Sequence, residues 1–183
     1  MPQTFLLVSG SLREASTNTA VLRTAVRISP PGIDCLVYAR LANLPPFNPD
    51  DDRHPLHPEV ERLRDAIHQA DAIVFSTPEY AGALPGSFKN LLDWTIGDGQ
   101  PGSIYDKPVG WVNASPRGAE GAHGELASVL GYAHARIIDA ACARVPVTAP
   151  MIGPDGLIEG EESRALLAGV LAALAGFRHE ASG

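Results

Sequence analysis

Lysine is nearly missing from this sequence. Lys89 and Lys107 are the only two, so arginine supplies most of the positive charge, and the formal net charge is −7. A chain this acidic lacks the basic patches that a general nucleic-acid surface or an anionic membrane surface requires. Cysteine is equally scarce. Cys35 and Cys142 stand alone in apolar, strand-like runs, which excludes a disulfide framework and reads as two buried free thiols. Long hydrophobic runs are absent too. The early FLLV run has no basic segment before it and is too short for a signal peptide. The longest apolar stretch, Ala165 to Phe177, is too short to cross a bilayer. A soluble, cytoplasmic protein is expected. Two chemical signatures are missing, G-x-x-x-x-G-K-[ST] and H-E-x-x-H, and the Gly/Ser turn after the first strand carries no G-x-G-x-x-G. An NTP-binding P-loop, the dinucleotide fingerprint and a zincin site are thereby disfavoured.

What is present fits one globular domain over residues 1–183, with 45% hydrophobic and 19% charged residues. Thr4 to Ser9 reads as a buried strand, and a turn follows from Gly10 to Asn18. From Thr19 the apolar period becomes helical, with Val21, Leu22, Ala25 and Ile28 on one face. Asp34 to Ala39 reads as a second strand, Pro58 to Ala70 as a helix and Ala72 to Thr77 as a third strand. Pro85 opens a helix carrying Phe88, Leu91 and Leu92. Pro108 to Ala114 reads as a fourth strand. A helix is expected from about Glu125, with Leu126, Leu130, Ala133 and Ile137 inward, then a fifth strand within Ala141 to Ala149 and a last helix over Glu161 to Phe177. Strand and helix alternate five times. Such alternation predicts an α/β three-layer sandwich: a five-stranded parallel sheet with helices on both faces, joined by right-handed crossovers. The order 2-1-3-4-5 is the flavodoxin-like solution, in which the ends of strands 1, 3 and 4 meet where ligands bind.

Three turns stand at those ends. The first runs into a helix, where unpaired N–H groups and the helix dipole favour an anion. Ser11, Ser16, Asn18 and Thr19 add donors and Arg13 adds a cation. The turn reads either as a cradle for a single phosphate or as a helix cap made by Ser16, Thr17 or Asn18. The second turn is Glu79 to Gly86, after Pro78, and the third is Ser115 to Gly124. A long loop, Leu41 to His57, carries Asp50, Asp51, Asp52, His54 and His57. Its prolines spread these groups, so it reads as a solvated loop rather than a metal centre.

Taken together, these segments resemble a known family. GSLREASTNTAVL resembles the G-S-L-R-x-x-S-x-N phosphate loop of the NADPH-dependent FMN reductases. TPEYAGALPGSFKNLLDW resembles their P-E-Y-N-x-x-x-P-G-x-L-K-N-x-x-D-W stretch, and GPDGLIEGEESRALL is similar to the segment before their last helix. The resemblance implies a flavodoxin-like fold, bound FMN, NADPH or NADH as co-substrate, and a homodimer or homotetramer. It also implies a flavin, quinone, azo or metal-oxyanion acceptor. On that basis Ser11, Arg13, Ser16, Asn18 and Thr19 hold the phosphate, and Tyr80 faces the isoalloxazine. Pro78, Glu79, Ala81 and Gly82 offer backbone around the ring. Ser115, Arg117, Gly118 and Gly121 cover its pyrimidine edge or the nicotinamide nucleotide. No catalytic side chain is expected, because the flavin carries the chemistry.

Some positions depart from the family pattern. Ala81 stands where asparagine is usual, and Pro116 and Arg117 stand where small residues are usual. His123 reads as a cap of the fourth helix in preference to a group that reaches the cofactor edge. Trp94 fits the monomer core and a subunit contact equally well. Two further readings stay open: an FMN electron carrier without nicotinamide turnover, and a flavin-free scaffold of the same fold.

Overall fold

A computed structural model describes residues 2–177. Its centre is β1 (Gln3–Ser9), flanked by β2 (Ile33–Tyr38) and β3 (Ala72–Ser76), with β4 (Pro108–Asn113) and β5 (Arg136–Arg144) beyond. All pairings are parallel and the order is β2-β1-β3-β4-β5, as the alternation predicts. β3 is buried at all five positions, which explains the apolar run from Ala72 to Phe75: helices cover both faces. Successive residues of β1 serve opposite cores. Leu6 and Val8 pack with α2 (Pro58–Gln69), α3 (Gly86–Ile96) and α4 (Glu120–Tyr132), whereas Phe5 and Leu7 pack with α1 (Thr17–Ile28) and α5 (Glu161–Gly176). The connections leaving β1 and β3 therefore depart to opposite faces from neighbouring strands, which leaves a crevice at the carboxyl edge of the sheet.

Both expected boundaries of the fourth helix and the start of the fifth strand are wrong. α4 begins at Glu120, five residues before the expected Glu125, and ends at Tyr132, so Ile137 lies in β5 rather than on the helix. The helix stops at His134, which takes φ 53°, while Ala135 N–H donates to Leu130 O at 3.0 Å. That is a glycine-type stop built on histidine, so the usual sequence signal is missing. β5 accordingly starts at Arg136, earlier than the expected Ala141, with a register irregularity opposite Val109–Trp111.

Smaller features follow from local chemistry. Trp94 is core: it is 1% exposed, donates Nε1–H to Pro45 O at 2.8 Å and meets Phe47 edge-on. The acidic loop is tied down by structural bonds. Asp52 pairs with Arg64 at 2.8 Å, and His57 Nδ1 accepts the Glu59 N–H as an α2 cap. Of the two lysines, Lys89 pairs with Asp93 on the surface of α3. Lys107 is buried, donates to Ala70 O at 2.6 Å, and has its pKa lowered by desolvation. Cys35 and Cys142 are free but only partly buried, and burial raises both thiol pKa values, that of Cys142 to about 11.

Candidate functional site

The three turns converge. Gly10 N–H donates to Ser76 O at 2.8 Å, joining the loops after β1 and β3. Ser76 Oγ, fully buried, lies 2.9 Å from Asn18 Oδ1 and 2.8 Å from Val112 O. One hydroxyl thus links α1, β3 and β4 directly beneath the crevice. A Cβ on Gly10 would come within 2.5 Å of Thr77 Oγ1 and 2.8 Å of Phe88, so the chain leaves β1 in close contact with the β3 end.

Within the first loop the predicted donors divide. Ser16 is the N-cap of α1, its Oγ accepting the Thr19 N–H at 3.4 Å, and no acidic residue occupies the first turn. Ser11 Oγ accepts the Arg13 N–H at 3.3 Å, which curls the loop. Thr19 Oγ1 pairs with Ser9 Oγ at 3.0 Å. Arg13 is exposed. The cap reading holds for Ser16, and it leaves the other donors of the turn for a cradle. Ser16 caps the helix by one bond, and no acidic residue in the first turn offsets the positive helix end. Asn18 and Thr19 direct their bonds inward, where they brace the loop.

The second turn is a two-residue hairpin. Tyr80 and Ala83 exchange backbone hydrogen bonds at 3.0 and 3.1 Å, with Ala81 at φ 53° and Gly82 at φ 77° between them. Two positive φ values define a type I′ turn, whose favoured pair is Asn-Gly. Ala81 is therefore a strained position as well as a missing amide. Tyr80 stands 49% exposed, which removes it from the core and leaves its ring available to a planar ligand. Pro78 and Glu79 are half-buried, and Ala81 and Gly82 are exposed.

Glu79 does more than offer backbone. Its Oε2 accepts the Ala122 N–H at 2.9 Å, across 43 residues, and so caps α4. This long-range cap explains the early start of α4, since Ala119, at φ 54°, supplies no side-chain bond at the N-cap position. In the third loop Asn113, at the end of β4, is the organiser. Its Oδ1 accepts the Ser115 N–H at 3.0 Å, and its amide donates to Gly118 O. Ser115 Oγ in turn accepts the Arg117 N–H at 3.2 Å. Gly118 sits at φ 105°. A Cβ on Gly121 would lie 2.2 Å from Gly82 O, so glycine lets the second and third turns touch. Sequence reasoning missed Asn113, whose position ahead of Ala114-Ser115 is an Asx-turn signal.

His123 is buried within α4, and its Nδ1 lies 2.9 Å from the Ala119 carbonyl oxygen, so it does not cap the helix start: a cap there must accept a free N–H, and Glu79 does so instead. Desolvation pushes its pKa below the ordinary imidazole value, and its Nε2 has no hydrogen-bond partner. A cavity of about 730 Å³ lies elsewhere, at the amino edge of the sheet, between His68, Asp71, Tyr105 and Lys107. Two of its polar groups are already engaged: His68 pairs with Asp98 at 2.6 Å, and Lys107 bonds to Ala70 O. The convergent donors are at the carboxyl edge. Among the described residues no helix is long and apolar enough to cross a membrane, and no cluster of three metal-ligating side chains occurs.

Residues 4–147 match the profile of the NADPH-dependent FMN reductases, which spans β1 through the end of β5 and all three turns. The chain belongs to that family. An NAD(P)H-dependent FMN reductase of Pseudomonas aeruginosa is 41% identical over 87 residues, covering 48% of this chain and 46% of that protein. The NADH:(hydroxy)cinnamate reductase subunit CrdA of Vibrio ruber is 36% identical over 135 residues, 73% of this chain and 61% of that one. The chain thus spans roughly half the length of these relatives. Among solved structures, the flavoenzyme NAD(P)H:(acceptor) oxidoreductase FerB of Paracoccus denitrificans superposes with a TM-score of 0.81 at 25% identity, covering 94% of both chains. For an FMN reductase relative the residues at the crevice fit the cofactor. The α1 end offers donors and an arginine to a phosphate, and the second turn offers an exposed tyrosine to a ring.

Proposed function

We propose that this protein is an FMN-dependent NAD(P)H oxidoreductase that delivers electrons to a small acceptor such as a flavin, a quinone, an azo compound or a metal oxyanion. The observation that carries the reading is the convergence of the loops after β1, β3 and β4 through Ser76, Gly10 and the Gly82–Gly121 contact. FMN, when bound, supplies two-electron chemistry: it accepts hydride from the nicotinamide and reduces an acceptor.

The chain's own residues bind and orient. The N–H groups of the first loop and α1, with Ser11 and Ser16, hold the phosphate, and Arg13 adds a charge-assisted contact. Asn18 and Thr19 brace that loop from inside. Tyr80 packs against the ring, while Pro78, Glu79, Ala81 and Gly82 carry backbone along its edge. Ser115, Arg117, Gly118 and Gly121 form the opposite wall, where the nicotinamide nucleotide enters. The assembly is a homodimer or homotetramer, and the protein works in the cytoplasm.

The test begins with the visible spectrum of the purified protein before and after anaerobic NADPH. Bleaching of a flavin band, restored by quinone, is the expected result. A protein that stays colourless after incubation with FMN overturns the reading. Flavin that NADPH leaves oxidised favours an electron carrier. Arg13→Ala is expected to lose a charged hydrogen bond of about 1.5–3 kcal/mol, which is roughly a 10- to 150-fold rise in the FMN dissociation constant.

A further inference from the structure

The turn that carries Tyr80 is too short to hold itself. It is a two-residue hairpin with one bonded pair, an alanine at positive φ, and exposed residues at positions 80, 81 and 82. An isolated hairpin of this size is unstable in water. Its direction is set from outside, by α4. On the entry side the Glu79 carboxylate accepts the Ala122 N–H at 2.9 Å. On the exit side the Leu84 N–H donates to Glu125 Oε2 at 2.7 Å, across 41 residues. Between them Gly121 lies against Gly82 O. Gly121 and Glu125 are four residues apart on α4, so they share a helix face, and that face meets the hairpin.

We infer that Glu125 is a positioning residue for the flavin-facing turn. Its carboxylate clamps the Leu84 amide, so the Tyr80 platform and the third loop form one rigid wall instead of two independent loops. Glu125 acts through Leu84, which is buried, and not by touching the flavin. The two clamps oppose each other. The turn's carboxylate caps the helix, and the helix's carboxylate holds the turn, so neither segment can swing out without breaking a charge-assisted bond. This inference rests on the flavin-site reading above. It extends that reading to a residue outside the motifs that carry the family resemblance.

The experiment pairs Glu125→Ala with Glu125→Gln and uses two readouts. Backbone amide exchange by mass spectrometry, without cofactor, reads the clamp. FMN titration reads its consequence. In Glu125→Ala, exchange over residues 80–84 accelerates while β1 and α1 stay protected. The FMN dissociation constant rises about tenfold, equivalent to about 1.4 kcal/mol. Glu125→Gln, whose amide oxygen still accepts the Leu84 N–H, restores both. Unchanged exchange at 80–84 in Glu125→Ala overturns the clamp. Exchange that rises everywhere shows a general structural loss and overturns the positioning role. So does accelerated local exchange with unchanged FMN affinity, or a glutamine variant as impaired as the alanine one. Wild-type protein that binds no FMN defeats the functional reading first, and the positioning role falls with it, whereas the exchange result still reports on the clamp itself.

Discussion

Helices α1 and α4 both begin at the carboxyl edge of the sheet, yet their ends are electrically opposite. α1 is capped by a neutral serine and has no acidic residue in its first turn. α4 has Glu120 in its first turn and receives the Glu79 carboxylate at Ala122 N–H. Every helix start presents unpaired N–H groups and a partial positive charge. In α4 the protein's own carboxylates meet that demand. In α1 it is left open beside Arg13. A phosphate is therefore expected at α1, and α4 is free to serve as a support. The comparison shows one helix end at this edge met by the protein's own carboxylates and another left open to an anion.

The sharpest way to break this contrast is to make α1 resemble α4. Ser16→Asp keeps a good cap but puts a carboxylate where the phosphate is expected. Thermal stability should hold or rise. FMN affinity should fall by roughly 30- to 100-fold, the scale of a charged hydrogen bond replaced by repulsion. Calorimetric titration beside a melting curve checks the divergence, and a parallel loss of both would refute the assignment.

The converse change strips α4. Glu79→Ala removes the long-range cap and should cost about 1–2 kcal/mol of stability in a denaturant titration. Glu79→Gln should recover part of it. A third change works on the hinge between the two regions. Ala81→Asn places a residue tolerant of the left-handed region at φ 53° and should stabilise by about 0.5–1 kcal/mol. No gain in melting temperature would argue against a type I′ turn.

The smallest effect concerns pH. Burial lowers the His123 pKa from the ordinary 6.5, so the unfolded chain binds the proton more readily than the folded one. Stability from this residue is present above about 6.5 and is lost as pH falls toward the lower folded value. His123→Phe should flatten the melting temperature against pH between about 7 and 5. A profile as steep as that of the wild type would show that other groups control the acid limb.

Much of this was legible in the residues. β3 could be read because four consecutive apolar residues, Ala72 to Phe75, run without a polar interruption, and α1 because Ser16 is an ordinary cap ahead of a 3.6-residue period. The first loop reads as a candidate anion site because glycine, serine and arginine stand between those two elements. The division of labour inside it was not. Asn18 and Thr19 look like phosphate donors in the sequence, but Ser76 and Ser9 engage them from other segments. The α4 boundaries were misread for a related reason. Its cap comes from Glu79 and its stop from a left-handed His134, and neither leaves a mark near the boundary it sets.

The sequence by itself determined the alternation of strands and helices, hence the parallel sheet and the three turns at its carboxyl edge, because apolar period and turn chemistry are local properties. Only the tertiary structure decided which helix end stays positive, which turn is clamped to which helix, and which polar side chains face inward. Those outcomes depend on carboxylates and hydroxyls brought together from more than 40 residues away, and hydrogen bonds at such separations leave no periodicity to read.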